Sequence, residues 1–160
     1  MQKTFLLAIS IALLIGLLTA CAPDSGKAGI FEDDARIAEA GDTFSYAIRT
    51  APTTGENQLD LTYTKFSGME TIWTLTAASE SLAAFEYSSK VKSGDFKVVL
   101  IDPEGRVSVL VNGSMDGSQS FRLSPGESRV KVVGRKADGQ IKVTLSLDVD
   151  AVLERVDEDD

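Results

Sequence analysis

Apolar and polar residues alternate with a period of two through most of the chain beyond Gly41. The longest strictly alternating series has five apolar members, Ile141, Val143, Leu145, Leu147 and Val149. Successive side chains of a β-strand point to opposite faces, so this series requires one dry face and one wet face. We therefore predict a strand that places these five side chains in a hydrophobic core and exposes the polar residues between them.

Eight further stretches have the same period or a continuous apolar run of strand length. They lie at residues 44–48, 59–64, 71–77, 82–88, 96–101, 107–111, 120–123 and 129–133. Turn residues separate several of them, as at Asp102-Pro103-Glu104-Gly105 and Asp138-Gly139, because proline presets φ and glycine accepts positive φ. No amphipathic helix is long enough to connect parallel strands. The sequence therefore predicts an all-β fold, an antiparallel β-sandwich of about eight to nine strands, immunoglobulin-like or jelly-roll-like.

Two stretches with a strand, turn, strand pattern align with each other without gaps. Residues 96–109 are centred on the turn at Gly105, and residues 130–143 are centred on the turn at Gly139. Either a duplication or the general similarity of hairpins explains the alignment. In both cases we expect the strands on each side of Gly105 and of Gly139 to pair as hairpins.

The first twenty-one residues have the features of an export signal. Lys3 precedes an apolar run from Phe5 to Leu18, and small residues lead from there to Cys21. This order is typical of a secretory signal peptide, and Cys21 is the only cysteine of the chain. The alternative is an uncleaved transmembrane helix, because the apolar run approaches the ~20 residues that a bilayer requires.

The segment Leu18-Thr19-Ala20-Cys21 resembles the lipobox of bacterial lipoproteins. The resemblance implies lipidation of the Cys21 thiol, cleavage before Cys21, and a mature chain held at the cell membrane on its extracytoplasmic side. Residues 94–145 are similar to the C-terminal half of small β-sandwich lipoproteins from Gram-positive bacteria, and more loosely to β-sandwich domains attached to secreted peptidases. That similarity lies in turn motifs such as Leu123-Ser124-Pro125-Gly126, and it implies a fold and a surface location without catalytic residues.

These features divide the chain into four parts. Residues 1–20 are a predicted lipoprotein signal peptide, and residues 21–41, which mix small residues with acids, are a predicted lipid-anchored flexible tether. Residues 42–150 are the predicted β-sandwich domain. Residues 151–160 are a predicted acidic C-terminal tail, because five of the last seven residues are acids.

Composition argues against several classes of function. The chain has no histidine, which removes Ser-His-Asp and Cys-His catalysis and nearly all zinc, copper and non-haem iron sites. Its net charge is −8, with 24 acidic and 16 basic residues, which argues against a nucleic-acid partner. Ser89-Lys90-Val91-Lys92 has the S-x-x-K spacing of penicillin-binding enzymes, but it follows a predicted strand and not the helix on which that spacing works. We predict no enzymatic activity, no cofactor and no metal site.

Aromatic residues are the remaining candidates for ligand binding. Tyr63, Trp73 and Tyr87 lie in predicted strands, and exposed aromatic rings on a sandwich can stack on sugar rings. The alternative is packing in the core, where aromatic side chains bury a large area. Three hypotheses follow: a membrane-anchored surface module that binds a protein or a glycan, a carbohydrate-binding or carbohydrate-active module that uses aromatic and acidic side chains, or a structural envelope lipoprotein.

Overall fold

The computed structural model describes residues 26–52 and 54–156. The predicted signal peptide, Cys21 and the last four residues lie outside these ranges. The described chain contains a 3-10 helix (Lys27–Glu32), a short helix α1 (Asp34–Ile37) and eight β-strands. The strands are β1 (Thr43–Ser45), β2 (Ile48–Thr50), β3 (Gln58–Ala77), β4 (Ser81–Ile101), β5 (Val107–Asn112), β6 (Met115–Leu123), β7 (Gly126–Leu147) and β8 (Ala151–Arg155). Neither helix within these ranges has the length and apolar content of a membrane span.

All eight strands belong to one antiparallel sheet, and its centre consists of three strands of 20 to 22 residues. β7 lies in the middle and pairs with β3 on one side and with β4 on the other. β2, β1 and β8 pair with successive parts of the outer edge of β3, while β6 and β5 pair with the outer edge of β4. The predicted all-β, antiparallel class is confirmed.

Each of the three long strands bends near its middle. The pairing register shifts after Tyr63 in β3 and after Val91 in β4. The backbone has positive φ angles at this level, 51° at Lys65, 69° at Gly94 and 52° at Lys136. Irregularities of this kind bend strands and increase their twist. The sheet is therefore folded over into two halves.

The open half consists of residues 58–63 of β3, 81–91 of β4 and 139–147 of β7, with β2 and β6 at its edges. The covered half consists of residues 66–77 of β3, 95–101 of β4 and 126–137 of β7, with β1, β5 and β8 at its edges. Both halves contribute side chains to one hydrophobic core. At the bend, the ring of Tyr63 stacks on the ring of Phe96 with centroids 4.6 Å apart. The fold is thus an antiparallel β-sandwich made from one sheet.

The hairpin expected at Gly105 is confirmed, but the hairpin expected at Gly139 is wrong. Gly139 lies inside β7 and pairs with Tyr63 of β3 and Val91 of β4. A Cβ atom at Gly139 would lie 2.4 Å from the carbonyl oxygen of Lys90 and 2.8 Å from the hydroxyl oxygen of Tyr63. Glycine is required here by the close approach of three strands at the bend.

The alternating series in β7 is confirmed over most of its length. Ile141, Val143 and Leu145 are buried in the core, and Leu147 is half-buried. Val149 is fully exposed (100 %), so its predicted place in the core is wrong. β7 ends at Leu147, and the chain turns there toward β8.

Residues 27–38, which we predicted as part of a flexible tether, pack against the covered half. Ile30, Phe31 and Ile37 are buried, and they form a second apolar cluster on the outer face of this half with Met69, Val99, Ile101 and Val133. The covered half is apolar on both faces, so it needs a cover on its outer side. The tether prediction is therefore wrong for these residues. We refer to residues 27–38 as the cover.

A buried lysine binds the segment that directly follows the cover. Lys131 of β7 is 0 % exposed, and its Nζ donates hydrogen bonds to the carbonyl oxygens of Glu39 (2.7 Å) and Gly41 (3.0 Å). The same ammonium lies 3.2 Å from the carboxylate of Asp42. Asp42 also accepts a hydrogen bond from the backbone N–H of Thr71. Burial lowers the pKa of Lys131, and Asp42 opposes that shift.

The C-terminal boundary also differs from the prediction. We placed residues 151–160 in an acidic tail, whereas residues 151–155 form β8 and pair with residues 73–77 of β3. Ala151 and Leu153 pack against the core, which accounts for the order of this strand. The described sandwich domain therefore extends to Arg155.

Candidate functional site: a trench across the open half

Two of the three predicted ligand-binding residues lie in the core. Trp73 is 0 % exposed, and its Nε1 donates a hydrogen bond to the carbonyl oxygen of Glu56 (2.7 Å). Tyr63 is 1 % exposed, and burial raises the pKa of its hydroxyl above the usual range. Neither ring has a face in solvent, so the prediction that they bind a ligand is wrong. Their core role follows from their positions on the inward-facing side of β3.

Tyr87 is half-buried and lines a cavity of about 650 Å³ on the outer face of the open half. We refer to this cavity as the trench. Its floor is one row of residues that pair across four strands: Leu59, Val143, Tyr87 and Gly117. The side chains of Leu59, Val143 and Tyr87 point toward the core, and Gly117 has none, so the floor consists mainly of backbone.

Polar side chains form the two walls of the trench. The first wall is the paired row Gln58, Thr144, Glu86 and Ser118. The second wall is the paired row Asp60, Lys142 and Ser88, which Asp116 continues on the edge strand β6. Because strands lie ~4.8 Å apart, a row that crosses four strands is ~14 Å long. The trench therefore runs across the strands and offers hydrogen-bonding groups on both sides.

The strand period explains why these residues share one face. In β3, β4 and β7 the odd-numbered residues of the open half point inward and are buried or half-buried, and the even-numbered residues point outward. The polar members of the alternating series in β7 were therefore a valid signal for a wet face. Which polar residues become neighbours depends on the register of four strands, and no single stretch of sequence contains that information.

An ion pair holds the β3–β7 end of the trench. Lys142 Nζ lies 2.8 Å from Asp60 Oδ2, and Gln140 Nε2 donates a hydrogen bond to Asp60 Oδ1 (2.9 Å). These hydrogen bonds, the one from Lys142 first, lower the pKa of Asp60. Asp60 thus stays ionised, and the side chain of Lys142 is directed toward β3.

The β4–β6 end of the trench has a different charge. Glu86 lies in the middle of the first wall and is exposed. In the part of the chain that the structure describes, its carboxylate has no hydrogen bond or ion pair, and neither does that of Asp116. The β3–β7 end of the trench is therefore close to neutral, and the β4–β6 end is negative.

A smaller groove of about 150 Å³ lies on the same outer face, beyond the first wall. Ala83 and Leu147 pair at its floor, and Ser120 and Ser146 lie beside it on the row that includes Ala84. The hydroxyl-rich surface thus continues past the trench.

The trench presents hydroxyl, amide, carboxylate and ammonium groups. Its hydroxyl groups have no imidazole to act as a base, since the chain contains no histidine. Residues 26–52 and 54–156 contain no group of three or more acidic or thiol side chains placed to hold a metal ion. The S-x-x-K motif does not form a catalytic pair either, because Ser89 is buried in β4 whereas Lys92, the lysine of the motif, is exposed.

No protein-family model and no curated protein matches the sequence. Among solved structures, the chain is similar to a carbohydrate-binding module of Cellvibrio mixtus lichenase 5A, whose structure was determined in complex with cellotriose. The sequence identity is 11 % and the TM-score is 0.36, and the match covers 64 % of this chain and 88 % of that chain. It is also similar to the enzymatically active domain of tailspike protein 4 from bacteriophage CBA120, at 10 % identity and a TM-score of 0.37, with 81 % and 21 % covered. A family two carbohydrate esterase from Cellvibrio japonicus matches at 14 % identity and a TM-score of 0.34, with 73 % and 34 % covered.

Proposed function

We propose that this protein is a lipid-anchored, extracytoplasmic carbohydrate-binding module and that the trench is its binding surface. The observation that carries the proposal is the trench itself, a groove across four strands with hydrogen-bonding side chains on both walls. It lies on the one outer face that the described chain leaves polar and uncovered, whereas the cover occupies the opposite outer face.

The chemistry of the walls suits an extended, hydroxyl-rich ligand. Hydroxyl groups of Thr144, Ser88 and Ser118 both donate and accept hydrogen bonds, and the carboxylates of Asp60 and Glu86 are strong acceptors. A glycan presents donors and acceptors along its whole length, so it can satisfy both walls at once. A length of ~14 Å accommodates a short oligosaccharide.

Anchoring through Cys21 would place the trench on the side away from the membrane. Five residues separate Cys21 from Lys27, where the cover begins, and six steps of extended chain reach at most ~20 Å. The cover lies on the outer face of the covered half. Since the inner faces of the two halves meet in the core, the outer face of the open half points the other way.

The anchoring part of the proposal is tested by Cys21→Ser. Lipidation needs the thiol, so this variant should lose labelling by fatty acid and accumulate as an unprocessed precursor. Thr19→Ser, which keeps a small residue in the lipobox, is the control and should be labelled normally. Normal labelling of Cys21→Ser would contradict the anchor.

The binding part is tested by calorimetric titration of the protein with chito-, cello- and xylo-oligosaccharides. Ser118 and Ser108 are both exposed serines on edge strands, Ser118 beside the trench and Ser108 on β5 of the covered half. We expect Ser118→Trp to block the trench and to abolish binding of any oligosaccharide that the natural chain binds, while Ser108→Trp retains it. Equal affinities of the two variants would exclude the trench as the site.

We also propose that the protein binds without cleaving. Mass spectrometry of each oligosaccharide after prolonged incubation should show the intact ligand. Release of shorter products that is lost in Glu86→Gln would replace the binding module with a carbohydrate-active enzyme.

A further inference from the structure

We infer that the trench selects glycans by charge: it favours oligosaccharides that carry protonated amino groups over neutral ones, and it disfavours oligosaccharides that carry carboxylates. This inference rests on the proposed function and adds the chemical class of the ligand. Glu86 is the residue that determines the selection.

Glu86 is available to a ligand because the nearby cation is engaged elsewhere. Lys142 is diagonal to Glu86 in the sheet, since Glu86 pairs with Thr144 and Ser88 pairs with Lys142. The ammonium of Lys142 lies 2.8 Å from Asp60, on the opposite side of β7. Gln140 fixes the other oxygen of Asp60, so Asp60 and Lys142 form a closed pair. Glu86 has no such partner among residues 26–52 and 54–156.

The surroundings of Glu86 reinforce its negative charge. Asp116 continues the second wall at the same end of the trench and also has no ion pair in the described part of the chain. Neither Asp116 nor Lys90 lines the trench directly, and Lys90 lies one row farther from Glu86 than Asp116 does, where it pairs with Gln140. An amino group of a bound glycan would therefore lie over β4 and β6, and the neutral part of the glycan over β3 and β7.

A protonated amino group on a sugar can donate a charge-assisted hydrogen bond to the Glu86 carboxylate, which is stronger than a bond between neutral groups. A sugar carboxylate at the same place would meet a like charge. Because Glu86 is exposed, water and salt screen both effects, so we expect a preference of roughly fivefold per charge at low ionic strength. The preference should shrink as salt is added.

The test compares three oligosaccharides of equal length: an N-acetylated chito-oligosaccharide, the same oligosaccharide after deacetylation, and an oligogalacturonate. The acylated mature protein in detergent is titrated with each at mildly acidic pH, where amino groups are protonated and carboxylates are ionised. We expect the deacetylated ligand to bind roughly fivefold more tightly than the acetylated one, and the oligogalacturonate to bind most weakly.

Two variants separate a local effect from the charge of the whole protein. Glu86→Gln removes the charge and keeps the shape, so it should remove most of the difference in affinity between the acetylated and deacetylated ligands and leave only the contribution of Asp116. Glu127→Gln removes an exposed carboxylate from the covered half and should leave the difference in place. If the natural chain shows no difference, or if Glu127→Gln reduces it as much as Glu86→Gln does, the inference is overturned while the glycan-binding function stands. If none of the three ligands binds while a cello- or xylo-oligosaccharide does, the inference alone is overturned. If no oligosaccharide of either set binds, the proposed function is overturned as well.

Discussion

The two halves of the sandwich are built from the same three strands, yet their outer faces differ. The covered half has apolar side chains on both faces, and the cover buries its outer side. The open half buries its apolar side chains on the inner face, and its outer face holds two polar rows and the trench beside the exposed Leu82 and Ala84. A strand that is apolar on both faces needs a partner on each side, whereas a strand with strict alternation does not. The alternation of one half thus leaves a surface free for a ligand.

Two lysines of β7 show the same difference at the level of single residues. Lys131 in the covered half is fully buried and bonds to carbonyl oxygens at the end of the cover. Lys142 in the open half is exposed and pairs with Asp60 beside the trench. Lys131 joins β7 to the segment that follows the cover, whereas Lys142 forms part of a surface.

The largest change in the free energy of unfolding is expected for a substitution on the inner face of the open half. Leu145 is buried in the core, while its neighbour Thr144 points into the first wall of the trench. Leu145→Ala should reduce the free energy of unfolding by ~2–5 kcal/mol because it leaves a cavity, and Thr144→Ala by less than about 1 kcal/mol. Urea denaturation of the two variants measures this. Equal losses would mean that the faces of β7 are assigned wrongly.

An intermediate change in the free energy of unfolding is expected when the buried Lys131 is replaced. Lys131→Met removes the buried ammonium that donates to the carbonyl oxygens of Glu39 and Gly41 and pairs with the carboxylate of Asp42. Glu39 keeps a hydrogen bond from Arg129, and Asp42 keeps those from Thr71, so Gly41 is the acceptor that loses this side-chain donor outright. We expect a loss of ~2–4 kcal/mol in the free energy of unfolding. Lys142→Met, the same exchange on the same strand, removes an exposed pair and should cost less than about 1 kcal/mol. A larger loss for Lys142→Met would contradict the contrast between the halves.

The smallest expected effect concerns how the stability of the protein depends on pH. The pKa of Asp60 is lower in the folded state, because Lys142 and Gln140 stabilise its charged form. Its stabilising contribution is therefore present above the pKa of an unfolded aspartate, about 3.9, and is lost as the pH falls through the folded value. Asp60→Asn should lower the melting temperature at neutral pH, and the difference from the natural chain should shrink on acidification. A difference that grows on acidification would contradict this assignment.

The sequence predicted the class of fold because alternation is a local property. The alternation predicted which side chains of residues 141–147 face the core. The turn residues between two predicted strands gave the hairpin at Gly105. The bends of the long strands did not follow, since the turn residues Asp138-Gly139 also suit a sharp bend within one strand. The cover was missed because Ile30, Phe31 and Ile37 lie among acidic and small residues, and their partners lie far away on β3, β4 and β7. The trench was missed because it is a product of register across four strands.

Mapping the bound ligand by NMR tests the central contrast most directly. Backbone amide shifts of the protein would be followed during titration with the deacetylated chito-oligosaccharide. We expect the changes to concentrate at residues 58–60, 86–88, 117–118 and 142–144, which line the trench, and residues 27–38 of the cover to remain unchanged. Changes centred on the cover, or none in the trench at saturating ligand, would contradict the assignment of the open half as the binding face.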